Sequence, residues 1–250
     1  MKTVGVIPAR YGSTRFPGKP LADINGKTMV ERVYQQACLA SNIDEVIVAT
    51  DDNRIKVVVR DFGGKVVMTD PELPSGTDRV YQAIKDQPAD VIVNLQGDEP
   101  FVKPGLLENL VNVFENKQIR IATPVCRILS EAEYKNPNIV KVVRDANGFA
   151  LYFSRSQIPF FREAKEVEQD LKESKICFKH IGIYAYRKDC LEKLTQLNES
   201  RLELTEKLEQ LRFLENGYRI YTILTDYNSI SVDTPEDLEE INRMILNNEL

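Results

Sequence analysis

The N-terminal segment carries three cations in a loop of small residues, a composition that suits a polyphosphate ligand. An apolar run from Val4 stops at Pro8, and the following loop contains Arg10, Arg15 and Lys19. Glycine and serine let backbone N–H groups approach phosphate oxygens, and fixed cations balance their charge. The alternative is a set of surface cations, which seldom lie among glycine and proline directly after a buried strand. We therefore interpret the loop as a nucleotide phosphate site.

This loop matches neither of the two common phosphate-binding motifs. The sequence contains no GxxxxGK[ST] motif and no GxGxxG motif. The first motif marks P-loop ATPases and the second marks dinucleotide-binding dehydrogenases. The chain is thus predicted to bind a nucleotide in some other class of enzyme.

Two aspartates are candidates for holding Mg²⁺. Asp98 follows an apolar run within Gln-Gly-Asp-Glu-Pro, and Asp233 follows Ile230 and Val232 just before a helix. Mg²⁺ uses few carboxylates together with substrate oxygens, so a carboxylate at a strand end suits it. The alternatives are a turn residue for Asp98 and a charge at a helix terminus for Asp233. The sequence gives no distance between them, so a shared site is a hypothesis from the fold.

Other polar residues have both a chemical and a structural interpretation. Ser75, Thr77 and Arg79 lie in a small-residue loop that either contacts a ribose or base or caps a helix. His180 is the only histidine and precedes an apolar strand, where a structural role is the more common one. Arg162 suits a surface position.

A charged helical turn follows later in the chain. Glu209, Gln210 and Arg212 lie within one turn, and their structural interpretation is an exposed charged face of that helix.

Composition narrows the class of protein. The chain has 250 residues, 42% hydrophobic content and a net charge of −5, values that fit a globular protein and disfavour nucleic-acid or anionic-membrane partners. Four cysteines without CxxC spacing and a single histidine disfavour a zinc site. With no signal peptide and no apolar run long enough to span a bilayer, we expect reduced thiols and a cytoplasmic location.

Short apolar runs alternate with segments of helical period in the first half. This order predicts an α/β fold with a mainly parallel sheet covered by helices on both faces, whose ligands bind at the carboxyl ends of the strands. The predicted elements are strands Thr3–Pro8, Glu45–Thr50, Lys65–Met68 and Val91–Leu95, and helices Thr28–Ala40, Arg54–Phe62, Thr77–Lys85 and Leu106–Phe114.

After residue 120 the strands come closer together, which predicts a mixed or antiparallel extension. Residues 163–176 are charged and weakly patterned and are expected to form a mobile surface segment. The predicted elements here are strands Ile121–Arg127, Val140–Asp145, Ala150–Ser154, Ile181–Tyr186 and Tyr218–Leu224, helix Leu204–Glu215, and a last helix with Thr234 as its N-cap.

Motifs along almost the whole chain resemble one family. They are Ile7–Pro20, Val48–Asp52, Pro74–Arg79, Asn94–Pro100, Ala150–Arg155, His180–Tyr186, Leu208–Arg212, Glu215–Gly217 and Val232–Leu238. The first is shared with other sugar nucleotidyltransferases, whereas the last four together are far more specific. The chain resembles the 3-deoxy-manno-octulosonate (Kdo) cytidylyltransferases, or CMP-Kdo synthetases.

The resemblance implies transfer of CMP from CTP to Kdo with release of diphosphate, for lipopolysaccharide or capsule synthesis. It also implies a nucleotide-diphosphosugar-transferase-like (Rossmann-like) fold, Mg²⁺ dependence, a homodimer, and no nucleic-acid or membrane partner. We expect one domain over residues 1–250. Its parts would be nucleotide-binding over about 1–120, sugar-binding and dimerising over about 121–225, and a metal loop with a helix over about 226–250.

The resemblance also assigns site residues by position. The catalytic residues are Arg10, Lys19, Asp98 and Asp233, and the last two bind the metal. The nucleotide-binding residues are Ala9, Arg10, Ser13, Lys19, Ser75, Arg79 and Gln96. The sugar-binding residues are Gln96, Arg162, His180, Tyr184, Glu209 and Gln210.

The chain departs from the family pattern at Ser231, where glycine is usual. Its Cβ would be accepted less easily at positive φ or at a close backbone approach. A differently shaped metal loop or a different sugar, such as the 8-amino analogue of Kdo, would be consistent with this change.

Three other functions compete with the predicted one. A metal-dependent glycosyltransferase would use a DxD motif, which Asp98-Glu99-Pro100 does not match. A catalytically silent nucleotide-binding module would be expected to lack a metal carboxylate, and both candidates are present. A sialic acid activator is disfavoured by the stretches Asn94–Pro100 and His180–Tyr186.

Overall fold

A computed structural model describes residues 1–12, 16–162 and 167–247. The strands, in chain order, are β1 Thr3–Ala9, β2 Asp23–Ile24, β3 Lys27–Thr28, β4 Glu45–Thr50, β5 Lys65–Met68, β6 Val91–Asn94, β7 Ile121–Arg127, β8 Lys141–Arg144, β9 Ala150–Ser154, β10 Phe178–His180, β11 Tyr184–Arg187 and β12 Tyr221–Leu224. The α-helices are α1 Met29–Cys38, α2 Asn53–Asp61, α3 Gly76–Ile84, α4 Pro104–Asn112, α5 Glu131–Lys135, α6 Val167–Ser174, α7 Lys188–Leu194, α8 Arg201–Glu206, α9 Gln210–Glu215 and α10 Pro235–Leu246.

The chain forms two compact units. The first comprises Met1–Val111 and Ser229–Leu250, and the second comprises Asn112–Asn228. The first unit is therefore built from two separate stretches of sequence. That these parts act as one domain stays a prediction.

The first unit contains the predicted parallel sheet, with strand order β5-β4-β1-β6. Val4 of β1 pairs with Glu45 of β4, and Ala9 pairs with Thr50, so these two strands end at the same edge. β6 is buried throughout and β1 is buried except at the half-buried Pro8, because helices cover both faces of a parallel sheet. The predicted α/β class with a mainly parallel sheet is confirmed.

Side-chain caps begin the helices at the predicted places. Thr28 caps α1 and Ser75 caps α3 through their side-chain oxygens. Asp52 caps α2 in the same way. Thr234 forms a capping box with Asp237 at the start of α10, as its position before Pro235 predicts. These caps fix the loops that enter each helix.

Sheet pairing in the second unit is mixed, as predicted. β7 pairs antiparallel with β10 and β11 and parallel with β12. β10 pairs antiparallel with β8, which pairs antiparallel with β9.

Three local predictions for this unit are wrong. The strand predicted over Ile181–Tyr186 is interrupted, because the Thr123 hydroxyl contacts the carbonyl oxygens of Ile181 and Ile183 at 3.1 and 2.8 Å. Tertiary hydrogen bonding thus replaces continuous pairing at this point.

The helix predicted over Leu204–Glu215 is divided into α8 and α9. Lys207 ends α8 in the left-handed conformation, with φ 55°. Arg155 donates to the carbonyl oxygen of Glu206 at 2.8 Å, a contact that replaces continuation of the helix.

The segment over residues 163–176 is more ordered than predicted. Its part Val167–Ser174 is helical, and Leu171 is 1% exposed within an apolar cluster that includes Ile128, Tyr134 and Cys177. Residues 163–166 lie outside the described part of the chain.

Within the described ranges, none of the helices combines the length and apolar character that crossing a bilayer requires.

Candidate active site

A cavity of about 310 Å³ opens in the first unit where β1 and β6 end. It brings together six residues that the sequence predicts for the site. Those residues are Ala9, Arg10, Lys19, Arg79, Gln96 and Asp98. Ser13 lies outside the described residues.

Lys19 joins the two predicted metal carboxylates. Its Nζ donates to Oδ2 of Asp98 at 2.8 Å and to Oδ1 of Asp233 at 3.1 Å. Burial lowers the pKa of Lys19, but the two carboxylates outweigh it and raise that pKa above its ordinary value. The structure therefore brings Asp98 and Asp233 around a single cation, although 135 positions separate them in the sequence.

Backbone contacts fix this pair of carboxylates. The N–H of Val232 donates to the carbonyl oxygen of Asp98 at 3.0 Å, joining the two loops. Oδ2 of Asp237 accepts from the N–H groups of Asp233 and Thr234, each at 2.8 Å. The start of α10 thus positions Asp233.

Ser231 fits this loop without strain. It is exposed, and it is not among the residues of positive φ. The Cβ that replaces a glycine hydrogen is therefore accepted at this position.

The donor set suits Mg²⁺. Two carboxylates converge on one position beside the cavity. Mg²⁺ is commonly held in proteins by one or two carboxylates together with substrate phosphates. Among the described residues no group of three or more His, Cys, Asp or Glu side chains could hold a metal ion by itself. The two carboxylates fit a metal ion that a phosphate ligand also holds.

Glycines keep the backbone close around the cavity. A Cβ on Gly97 would lie 3.1 Å from the carbonyl oxygen of Pro8. Gly18 has φ 75°, directly before Lys19, and its N–H donates to the carbonyl oxygen of Tyr11 at 2.9 Å. At Gly18 a side chain would be strained as well as close to the Tyr11 ring.

Arg79 is fully buried, with its guanidinium held by protein groups. Its Nη2 donates to Oδ2 of Asp51 at 2.8 Å, and its Nη1 donates to the Thr69 hydroxyl. Burial lowers the pKa of Arg79, and Asp51 opposes that shift. A direct contact of Arg79 with the nucleotide stays a prediction.

Ser75 caps helix α3, which agrees with its structural interpretation. Its hydroxyl donates to Oδ2 of Asp78 at 2.6 Å and accepts from the N–H of Asp78 at 3.2 Å. A role in nucleotide binding stays a prediction.

The predicted sugar residues other than Gln96 belong to the second unit. Oγ1 of Thr123 lies 3.0 Å from Nε2 of His180, and the imidazole packs against the rings of Phe153 and Tyr184 with centroids 5.1 and 5.2 Å away. Although part of this residue reaches solvent, burial of the ring lowers the pKa of His180 to about 3. His180 is therefore a neutral hydrogen-bonding group near pH 7. Arg162 is exposed, and its contact with a sugar stays a prediction.

The structural interpretation of the turn with Glu209 and Gln210 is an exposed charged face, and the structure does not show one. Gln210 is 6% exposed and Arg212 is 8% exposed. Arg212 donates through Nε and Nη2 to both carboxylate oxygens of Glu203, at 2.8 and 2.5 Å. This buried ion pair fixes α9 on α8, while the sugar roles of Glu209, Gln210 and Tyr184 stay predictions.

Sequence reasoning missed Asp51 and Asp237. Both contact a predicted site residue rather than facing the cavity themselves. Asp51 could have been noticed because it comes directly after β4, at the same sheet edge as Ala9. Asp237 could have been noticed from its capping-box spacing after Thr234.

Comparison with known proteins defines the class. Residues 4–220 match the cytidylyltransferase family. At 14% identity and a TM-score of 0.65, a 4-diphosphocytidyl-2C-methyl-D-erythritol synthase from Anaerococcus prevotii shares the fold over 98% of this chain and 99% of its own. The chain is thus a cytidylyltransferase by family, with a fold that this synthase shares.

The relatives narrow this class further. A 3-deoxy-manno-octulosonate cytidylyltransferase of Cytophaga hutchinsonii is 51% identical over 94% of both chains, and that of Parabacteroides distasonis is 50% identical over 96% of both. The structure of a CMP:2-keto-3-deoxy-manno-octonic acid synthetase complexed with CTP has 44% identity and a TM-score of 0.91 over 100% of both chains. The chain belongs to the 3-deoxy-manno-octulosonate cytidylyltransferase family.

Proposed function

We propose that this enzyme transfers CMP from CTP to the anomeric hydroxyl of Kdo and releases diphosphate, for lipopolysaccharide or capsule synthesis. The single observation that carries the site assignment is the contact of Lys19 with both Asp98 and Asp233 at the cavity. Family membership supports the choice of CTP and Kdo. A cytoplasmic location and a homodimer complete the proposal.

This reaction requires the protein to align the two substrates and to balance the phosphate charge, and it requires no covalent bond to the protein. Arg10 and Lys19 supply positive charge at the cavity, where the triphosphate of CTP would bind. As the sugar hydroxyl attacks the α-phosphate, negative charge develops on its oxygens, and these fixed cations stabilise it. Lys19 therefore acts as a charge stabiliser and forms no covalent intermediate.

Asp98 and Asp233 would hold Mg²⁺. When bound, the metal ion neutralises phosphate charge and lowers the pKa of a hydroxyl that it contacts. The residues themselves contribute two oxygen donors whose loops are joined by the contact of Val232 with Asp98. Gln96 lies on the same cavity and would help to position both substrates.

In the second unit, the sugar would meet Arg162, Tyr184, Glu209, Gln210 and a neutral His180. An exposed arginine suits the carboxylate of a 2-keto acid sugar, because a guanidinium can bind both oxygens.

Diphosphate release with purified enzyme, Mg²⁺ and CTP tests this function. The acceptors would be Kdo, its 8-amino analogue and sialic acid, with a no-sugar control. We expect release with Kdo and formation of CMP-Kdo by mass spectrometry. Faster turnover of the 8-amino sugar would reassign the substrate, and no release with any acceptor would contradict the function.

A further inference from the structure

Asp51 lies between two arginines of the proposed nucleotide site. Its Oδ2 is 2.8 Å from Nη2 of Arg79 and 3.7 Å from Nε of Arg10. The Asp51 side chain is 16% exposed, Arg79 is fully buried, and the Arg10 side chain is 43% exposed. One carboxylate thus faces a buried guanidinium on one side and a solvent-accessible one on the other.

The charges explain why this carboxylate matters. Two guanidinium groups that share one neighbour repel each other, and Asp51 supplies the negative charge between them. Nη2 of Arg10 donates to the carbonyl oxygens of Pro71 and Leu73, at 2.9 and 2.7 Å. Nη2 of Arg10 therefore has neutral carbonyl acceptors, whereas its Nε faces the charged carboxylate of Asp51.

We propose that Asp51 is a positioning residue for nucleotide binding, because it holds Arg10 against the repulsion of Arg79 in the orientation that meets the triphosphate. This inference rests on the proposed function, within which Arg10 binds the phosphates. The competing explanation is that Asp51 only neutralises the buried Arg79. Both explanations predict a loss of stability without Asp51, but only the first predicts a loss of CTP affinity that depends on Arg10.

Asp52 provides a matched control. It is the next residue and also an aspartate, but its carboxylate caps α2 and pairs with Arg54 at 2.6 Å. Asp52→Asn removes the same charge one position away and keeps a side chain that caps helices well. A general effect of charge would appear equally in Asp51→Asn and Asp52→Asn.

The experiment is a double-mutant cycle on CTP binding, measured by calorimetry without sugar. Asp51→Asn should weaken CTP binding about tenfold, as expected for an arginine released from a charged partner. Asp52→Asn should change it by less than about twofold, as expected for a residue away from the ligand. When Arg10 is already methionine, Asp51→Asn should add less than about twofold, because the residue through which it acts is absent.

Asp51→Asn leaves the buried Arg79 without its ion-pair partner, and this variant could fail to fold. A second pair of variants keeps the proposal testable in that case. Arg79→Met alone is compared with Arg79→Met combined with Asp51→Asn, so that no buried guanidinium lacks a partner. CTP affinity should still fall between them, by about threefold, because Asp51 also attracts Arg10 directly while the repulsion of Arg79 is absent. Unchanged affinity in this pair, or an equal loss when Arg10 is absent, would overturn the proposal. Diphosphate release by the wild-type enzyme tests the proposed function separately.

Discussion

Nζ of Lys19 lies 2.8 Å from Oδ2 of Asp98, so the residue proposed to bind phosphate contacts a residue proposed to bind the metal. The same Nζ also contacts Asp233. In this arrangement a cation of the protein itself offsets part of the negative charge of the two carboxylates. A divalent ion that binds there competes with Lys19, whose charge then becomes available to the triphosphate.

This competition predicts that removing Lys19 strengthens metal binding in the absence of nucleotide. Lys19→Met should bind Mn²⁺ about tenfold more tightly than wild type, because two carboxylates lose their internal cation. Electron paramagnetic resonance of free Mn²⁺ measures this affinity directly. The same variant should lose turnover without accumulating a covalent intermediate. Weaker Mn²⁺ binding in Lys19→Met would contradict the competition.

Removing either carboxylate should abolish most turnover. Asp98→Asn and Asp233→Asn should each lower kcat by about 10²–10³, the range for loss of one group that stabilises transition-state charge. Diphosphate release at saturating CTP and Kdo measures the loss, and circular dichroism checks the fold. Asp86→Asn, an exposed change in the same unit, is the control. Normal turnover in a folded Asp98→Asn enzyme would refute the metal assignment.

Asp237 should matter for both stability and activity because it fixes Asp233. Burial raises the pKa of Asp237, but its hydrogen bonds to Asp233 and Thr234 outweigh this and lower that pKa overall. Asp237→Ala should cost about 1 kcal/mol of unfolding free energy, as for other lost caps. It should also reduce kcat, whereas Asp237→Asn should retain most of both. Glu236→Ala, an exposed change in the same turn, should have little effect on either measurement.

His180 should make stability depend on pH. Its pKa is about 3 in the folded protein and 6.5 in an exposed histidine, so below pH 6.5 the unfolded chain binds a proton that the folded protein does not. Stability from the neutral imidazole is complete above pH 6.5 and declines as the pH falls towards 3. Between pH 7 and pH 5 the wild type should lose up to about 2 kcal/mol more than His180→Gln. Parallel urea-unfolding midpoints of the two proteins across this range would contradict the prediction.

Replacing only one member of the buried ion pair of Glu203 and Arg212 should destabilise the fold strongly. Arg212→Met should lower the unfolding free energy by about 3–5 kcal/mol, because it leaves a buried carboxylate unpaired. Adding Glu203→Gln should recover much of the loss. Lys135→Met breaks an exposed pair with Glu131 in the same unit and should change the urea midpoint little. Equal losses in Arg212→Met and Lys135→Met would show that burial does not matter here.

Apolar runs predict the bounds of several strands well. The observed β4 and β7 coincide with the predicted Glu45–Thr50 and Ile121–Arg127. These runs are strongly apolar and their local preference agrees with their burial. Local patterns fail where contacts with distant residues determine the backbone conformation. Next to Lys207, Arg155 donates to the carbonyl oxygen at the end of α8. At Ile181, the carbonyl oxygen contacts the hydroxyl of Thr123.

For the site, the sequence indicates which residue types suit the chemistry but not which of them touch. Asp98 and Asp233 are recognisable as strand-end and helix-start carboxylates, whereas their common contact with Lys19 depends on the tertiary fold. Asp51 shows the same limit. Its neighbour Asp52 caps α2 through a local contact, whereas only the fold brings the Asp51 carboxylate to Arg79.

The first unit is completed by a stretch of chain that follows the whole second unit. During translation, the ribosome must therefore synthesise Asn112–Asn228 before Asp233 can join Asp98. A nascent or prematurely terminated chain that stops before this point has one of the two carboxylates and cannot assemble the pair. Under the metal-binding role proposed for this pair, chains that stop before Asp233 would not consume CTP.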